Sequence, residues 1–125
     1  MGILDALLQN ASEVDVTSLE KEYGKMLFDG ETIEHAYKLF RDQLVFTNKR
    51  VIFLNVQGMT GKKKEYLSVP YHSVEAFSVE TAGTMDLDSD LKIWVRGQSG
   101  PIIQKFSRGV DIFEVERILA RYVLK

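Results

Sequence analysis

Three short segments carry residue types that phosphate, metal or acyl chemistry needs, and the first is GMTGKKK at residues 58–64. Its glycines and lysines suggest a loop whose backbone N–H groups wrap a phosphate. A Walker loop, however, needs a glycine five residues before Gly61 and a Ser or Thr after the lysine. The sequence has Val56 and Lys63 at those two positions. The segment therefore predicts a flexible, solvated loop.

The second segment is DLDSD, in which Asp86, Asp88 and Asp90 have the alternate spacing of calcium ligands. A calcium loop of this type needs glycine at its sixth position and glutamate at its twelfth. This sequence has Leu91 and Gly97 there. The spacing favours a turn that leads into a strand.

The third segment, GQSG around Ser99, lacks the residue between the serine and the second glycine that a nucleophile elbow contains. His35 and His72 are the only histidines, and neither has an acid at a spacing typical of a triad or a metal site. We therefore expect a non-enzymatic protein without catalytic residues, metal ligands or a cofactor.

The absence of cysteine from all 125 residues excludes disulfides, thiolate metal sites and cysteine nucleophiles. The start, MGILDALLQN, has no basic residue and does not predict a signal peptide. No stretch approaches the roughly 20 apolar residues that a membrane span requires. These features favour a single domain over residues 1–125, located in the cytoplasm.

The net charge of −2 is unevenly distributed along the chain. Residues 1–37 hold eight acids and two bases, whereas residues 38–64 hold seven bases and one acid. A basic middle beside an acidic start can dock on itself, on a second copy, or on an anionic partner.

The hydrophobic period changes from helical to strand-like and back along the chain. Short helices are expected within 1–28, where T-S-L-E from Thr17 matches a capping box. An amphipathic helix is expected over 110–124. Between them, seven strands are expected at 31–40, 43–47, 50–57, 63–69, 74–81, 90–96 and 102–106. Strict alternation in the first of these places Ile33 on one face and Ala36 on the other. Connections this short require antiparallel strands, so the pattern predicts a mainly β fold, a small barrel or orthogonal sandwich.

The hairpin LVFTNKRVIFLNVQG at 44–58 is apolar on both faces, whereas a sheet wetted on one side alternates apolar and polar residues. A tight turn at Asn48-Lys49, with Asn48 in the left-handed conformation, pairs Val45 with Ile52 and leaves Leu54 next to them. Burying these three side chains stabilises the fold by roughly 1.5–3 kcal/mol each, so something must cover them. Either the N-terminal helices or a second copy of the chain can do so. Val45, Ile52 and Leu54 are therefore candidate contacts between subunits.

Trp94 is a further candidate contact residue, because alternation in LKIWVRG places it with Lys92 and Arg96 on the face opposite Leu91. A tryptophan between two cations can anchor a partner. It can also pack under a helix while the cations reach past it to water.

Five basic residues form a possible anion-binding set: Lys49, Arg50, Lys62, Lys63 and Lys64. A sequence pI near 5.7 argues against nucleic acid as the partner. An anionic lipid surface would attract such a set with about 1 kcal/mol per cation. A solvated loop without a ligand is the alternative.

The runs FTNKRVIF and QGMTGKKKEY, followed by DLDSDLKIWVRG, resemble the bacterial pleckstrin-homology-like domain family, and the similarity covers essentially the whole chain. This family of short stand-alone proteins was long catalogued as a domain of unknown function. The resemblance implies a bent seven-stranded antiparallel barrel capped by a C-terminal helix, and self-association into ring-shaped homo-oligomers. It implies no catalytic residue. The lipid-headgroup role of eukaryotic relatives is not implied, because the connection between the first two strands is only Phe40 to Gln43.

Taken together, these observations predict a cytoplasmic binding or scaffolding domain that assembles with copies of itself, with another protein as a further partner. The alternative is a membrane-surface module that binds anionic lipid headgroups through its basic loop.

Overall fold

We describe a computed structural model of the chain for residues 16–81, 89–107 and 109–125. The chain divides into two compact units, residues 1–68 and 69–125. Residues 1–15 of the segment 1–28 in which short helices are expected, and Asp86 and Asp88 of the calcium-like segment, lie outside the described residues.

The first unit contains helix α1 (Val16–Tyr23) and a four-stranded antiparallel sheet with its strands in chain order. The strands are β1 (Ile33–Lys38), β2 (Gln43–Thr47), β3 (Arg50–Gln57) and β4 (Lys63–Pro70), and the boundary between the units falls within β4. Strand β2 pairs with β3 in the predicted register, with Val45 opposite Ile52 and Phe46 opposite Val51.

Helix α1 covers the outer face of the β2–β3 hairpin. Leu19 and Tyr23 on the helix are fully buried in one apolar cluster with Val45, Ile52 and Leu54. The hydroxyl group of Tyr23 also donates a hydrogen bond of 2.7 Å to Oε1 of Gln43 on β2. The sequence allowed either the N-terminal helices or a second copy of the chain to cover this face, and in the structure a helix of the same chain covers it.

The expected strict alternation of β1 is wrong, because a β-bulge lies between Ile33 and His35. One extra residue on β1 shifts the pairing, so that Ile33 lies in the same cluster as Ala36, beneath α1. His35 and Tyr37 instead pair opposite Phe46 and Leu44 on the other face. A bulge changes which face a residue occupies, because the period of a strand is two.

The turn between β2 and β3 falls at Asn48-Lys49 as predicted, but its conformation differs. No described residue other than glycine has a positive φ, so Asn48 is not left-handed. Instead, Oγ1 of Thr47 accepts hydrogen bonds from the backbone N–H groups of Lys49 and Arg50, at 3.0 and 2.9 Å. The side chain of Asn48 binds the segment before β1, through the N–H of Thr32 and the carbonyl of Gly30.

The second unit contains a three-stranded antiparallel sheet in the order β5-β6-β7 and the C-terminal helix. Its elements are a 3₁₀ turn (Tyr71–Ser73), β5 (Val74–Glu80), β6 (Ser89–Val95), β7 (Ile102–Phe106) and α2 (Ile112–Val123). Asp111 caps α2, because its carboxylate accepts a hydrogen bond of 3.0 Å from the N–H of Phe113. The helix packs against β5 and β6, and Tyr122 stacks on Tyr71 at 4.5 Å between ring centroids.

The fold class is confirmed as mainly β with helices, and six of the seven strands lie within one residue of the expected bounds at each end. Strand β1 is shorter than expected, since residues 31 and 32 precede it and residues 39 and 40 follow it. Within the described residues, seven strands form two separate sheets of four and three strands and not the single closed sheet of the expected barrel.

Replacing Leu19 with Ala should lower the free energy of unfolding by about 2–5 kcal/mol, because the mutation leaves a cavity under α1. Chemical denaturation measures this change. Lys21→Ala on the exposed side of the same helix is the control and should stay within about 0.5 kcal/mol of wild type. A Leu19→Ala protein as stable as the control would show that α1 does not cover the hairpin.

Candidate functional site

The ion pair between Glu31 and Arg50 lies at one end of the four-stranded sheet. Nε and one terminal nitrogen of Arg50 bind the two carboxylate oxygens of Glu31 at 2.8 and 2.9 Å. The same guanidinium group donates to the carbonyl of Met26 and the hydroxyl of Ser68, at 2.8 and 2.9 Å. Arg50 therefore uses its donors within the chain, and the structure removes it from the possible anion-binding set.

Glu31 is ionised because its buried carboxylate is surrounded by hydrogen-bond donors. Burial by itself would raise the pKa of Glu31, but the hydrogen bonds from Arg50, Thr47 and the N–H of Phe28, with the charge of Arg50, outweigh it. The pKa of Glu31 is therefore below its usual value. A fully buried carboxylate with this many partners is structural, since releasing it for chemistry would leave an unpaired charge.

Lys64 is also engaged within the first unit. Its ammonium group contacts the carboxylate of Glu22 on α1 at 3.0 Å, and Tyr66 donates a hydrogen bond to the same carboxylate. Burial acts to raise the pKa of Glu22, but the hydrogen bonds from Tyr66 and Lys64, with the charges of Lys64 and Lys25, lower it overall. Burial and the bond to Glu22 raise the pKa of Tyr66 to about 12. The ion pair with Glu22 connects Lys64 on β4 to α1, so Lys64 is not a free cation.

The remaining members of the anion-binding set lie at opposite ends of the sheet. Lys49 is in the β2–β3 turn, whereas Lys62 and Lys63 follow β3 at its other end. Eight residues of β3 separate the two ends, which amounts to about 25 Å in an extended strand. The structure therefore does not bring Lys49 together with the other lysines.

The β1–β2 loop and the β3–β4 loop meet at one end of the sheet. The guanidinium group of Arg41 donates a hydrogen bond of 2.5 Å to the carbonyl of Gly58, and Oδ1 of Asp42 accepts one of 2.9 Å from the N–H of Val56. Gly58 and Gly61 have φ angles of 79° and 71°, a region that disfavours other residues. These two glycines and Arg41 fix the shape of the loop that carries Met59.

We define the loop end as two apolar residues and four cations on these connected loops and at the strand ends beside them: Phe40, Met59, Lys38, Arg41, Lys62 and Lys63. Phe40 is 94% exposed and Met59 is fully exposed, at 104%. The four cations are exposed as well, and none of them has a carboxylate partner among the described residues. Two projecting apolar side chains in a cationic setting form a surface suited to binding, not to catalysis.

We define the outer face as the solvent side of the three-stranded sheet around Trp94 and Ile103, which are 37% and 54% exposed. Leu91 and Ile93 on the opposite side are buried, as the alternation predicted. Lys92 and Asp90 pair across the strands with Ile103 and Lys105 of β7. Ion pairs join Lys92 to Glu80 at 3.9 Å and Lys105 to Asp90 at 3.2 Å. The outer face therefore has an apolar centre and charges of both signs.

The described part of the chain contains no group of three or more His, Asp or Glu residues that could hold a metal ion. No helix within it is long and apolar enough to cross a bilayer.

The order of elements and both sheets correspond to a PH-like fold in known structures. The crystal structure of a pleckstrin homology domain from Shewanella amazonensis SB2B matches with a TM-score of 0.81 and 48% identity, over 99% of this chain and 100% of that one. A DUF1696 family protein with a pleckstrin-homology domain from Shewanella loihica PV-4 matches with a TM-score of 0.80 and 43% identity, over 91% of this chain and 97% of its own.

The family model "Bacterial PH domain" matches residues 2–123, and the chain belongs to this family. The uncharacterized protein YjqA of Bacillus subtilis (strain 168) is 47% identical over 121 residues, covering 96% of this chain and 97% of the relative. The uncharacterized protein YozO of the same strain is 36% identical over 103 residues, covering 82% of this chain and 88% of the relative. These matches support a binding type of domain and name no reaction.

Sequence reasoning missed four of the six residues of the loop end: Lys38, Phe40, Arg41 and Met59. Alternation placed Phe40 on a strand, and the short β1–β2 connection argued against a binding loop. Arg41 lies 17 residues from Gly58, so no local pattern joins the two loops. The available signal was the strand order, because the β1–β2 and β3–β4 connections of an antiparallel meander lie at the same end of the sheet.

Replacing Glu31 with Gln should lower the free energy of unfolding at pH 7 by about 3 kcal/mol, because Arg50 loses its buried partner. The pKa of Glu31 is lowered in the folded state, so its contribution is complete above the unfolded value near 4.5 and is lost as the pH falls through the folded pKa. The difference in the free energy of unfolding between the wild type and the variant should therefore become smaller below about pH 4.5.

Denaturation curves at several pH values measure this difference. Glu20→Gln on the exposed side of α1 is the control and should follow the wild type at each pH. A difference that stayed constant from pH 7 to pH 3 would show that Glu31 is not ionised in the pair.

Proposed function

We propose that this protein is a non-enzymatic, cytoplasmic binding domain that assembles with copies of itself through the outer face, with Trp94 as the central contact. The observation that supports this proposal is the exposed apolar pair of Trp94 and Ile103 within charges of both signs. Val45, Ile52 and Leu54 no longer require a second copy, since α1 buries them. Assembly into a ring is what the family resemblance implies.

The charges distinguish the two exposed surfaces as partners for a second copy. The outer face carries Glu80 and Asp90 beside Lys92 and Lys105, so a copy of the chain can supply opposite charges to it. The loop end carries four cations and would repel another loop end. Self-association therefore fits the outer face, and an anionic partner fits the loop end.

Replacing Trp94 or Ile103 with Glu should reduce the molar mass in solution to that of one chain, 14.3 kDa, at micromolar concentration. A buried carboxylate replaces an apolar contact at the centre of the interface, which costs at least about 2 kcal/mol of association free energy. Light scattering after size exclusion measures the mass, and dividing the wild-type mass by 14.3 kDa gives the number of subunits.

Phe113→Glu is the matched control, because Phe113 is a half-exposed aromatic residue of the second unit that lies on α2. This variant should keep the wild-type mass. A wild-type protein that is strictly monomeric would contradict the proposal, and so would an oligomer that the outer-face variants leave intact.

The loop end favours a second candidate function, a module that attaches to an anionic membrane surface. Its cations differ from the predicted set, since Arg50 and Lys64 are paired and Lys49 is about 25 Å away. Lys38 and Arg41 take their places beside Lys62 and Lys63. Cations near an anionic leaflet contribute about 1 kcal/mol each, so four support weak, salt-sensitive attachment.

Lys62→Glu should weaken binding to vesicles of mixed phosphatidylglycerol and phosphatidylcholine by at least about fivefold, because it removes one cation and adds one anion. Lys49→Glu changes the net charge equally at the other end of the sheet, beyond the Debye length of about 8 Å, and should bind like wild type. Vesicle sedimentation measures both. Equal losses in the two variants would show that the loop end is not the attachment site.

A further inference from the structure

The loop end contains more than charge, because its two most exposed side chains are apolar. Phe40 and Met59 expose 94% and 104% of their reference area, whereas most large apolar side chains in the first unit are buried. They lie on two loops that are joined by the hydrogen bond from Arg41 to Gly58, and Asp42 accepts a further hydrogen bond from Val56 near the end of β3. Two large apolar groups held in water by a fixed loop are unfavourable unless a partner receives them.

From these contacts we infer that Phe40 and Met59 insert into the acyl region of an anionic bilayer while Lys38, Arg41, Lys62 and Lys63 contact the headgroups. This inference rests on the second candidate function and specifies how the loop end attaches. Apolar burial and attraction to anionic lipid add together in interfacial binding. The loop end combines both features on one projection.

The shape of the loop end favours a bilayer over a folded protein as the partner. Exposures near or above the full reference value mean that Phe40 and Met59 project without neighbouring side chains around them. A protein partner would need two pockets in register with these projections. A fluid bilayer accommodates any projection, and its anionic surface complements the four cations.

Salt separates the two contributions to binding. Salt screens attraction to headgroups, with a Debye length of only a few ångströms at about 0.5 M, but it does not weaken apolar insertion. If Phe40 and Met59 insert, the wild type should retain measurable binding to anionic vesicles at about 0.5 M salt. Phe40→Asn and Met59→Gln should each weaken binding about tenfold, and the double variant about a hundredfold.

The absence of cysteine allows a direct measurement of depth. Met59→Cys gives the chain a single thiol that can carry an environment-sensitive fluorophore, and Lys49→Cys gives the matched control at the opposite end of the sheet. On vesicles, the label at position 59 should shift to the blue and be quenched by lipids that carry nitroxides on their acyl chains. The label at position 49 should show neither change.

The outcomes separate the inference from the function on which it rests. Wild-type binding that disappears at high salt, together with unquenched label at position 59 and normal binding of Phe40→Asn and Met59→Gln, overturns insertion and leaves electrostatic attachment. A wild type that does not bind anionic vesicles even at low salt overturns both. Denaturation curves that match the wild type show that the variants are folded, as expected for exposed positions.

Discussion

The paired charges of Glu31 and Arg50 are the constraint on which the first unit depends. Glu31 precedes β1, Arg50 opens β3, and the same guanidinium group holds the carbonyl of Met26 just beyond α1 and the hydroxyl of Ser68 in β4. Isolated charges are costly to bury, and these are satisfied only when all four segments are in place. The ion pair therefore couples the cover of the hairpin to the sheet beneath it.

The cover itself shows how far the sequence predicts this fold. The turn at Asn48-Lys49 placed Val45 opposite Ile52, and the lack of apolar–polar alternation required that their shared face be buried. Both expectations are confirmed. The pattern did not determine which chain buries them, because a periodicity reports burial and not the identity of the neighbour. Leu19 and Tyr23 have helical spacing, but only the path of the chain after Tyr23 brings them onto the hairpin.

The candidate sites were harder to predict than the strands, because a list of charged residues does not contain their partners. Lys64 and Arg50 looked available in the sequence, yet each is bound to a glutamate more than 15 residues away. The opposite error occurred at the loop end, where the sequence did not indicate a site that the structure shows. Phe40 and Met59 are separated by a full hairpin and share no local pattern. Trp94 was the exception, because its exposure follows from alternation within one strand.

The outer face and the loop end differ in their charge, and this difference separates the functions proposed for them. A surface with balanced charges of both signs can accept a copy of itself, whereas a surface with an excess of one sign selects against copies and for an oppositely charged partner. A chain with a net charge of −2 can thus present a strongly cationic loop end.

The bulge in β1 has a consequence for how the length of this strand can vary. Ile33 and Ala36 are three positions apart, and both reach the cluster under α1 because the bulge accommodates one additional residue between them. Deleting Glu34 would place Ile33 and Ala36 two positions apart, so that regular pleating keeps both side chains under α1 without the bulge. Deleting a residue between Ala36 and Lys38, where β1 pairs regularly with β2, would instead reverse the faces on one side of the deletion. The strand therefore tolerates the loss of a residue at the bulge and not in its regular part.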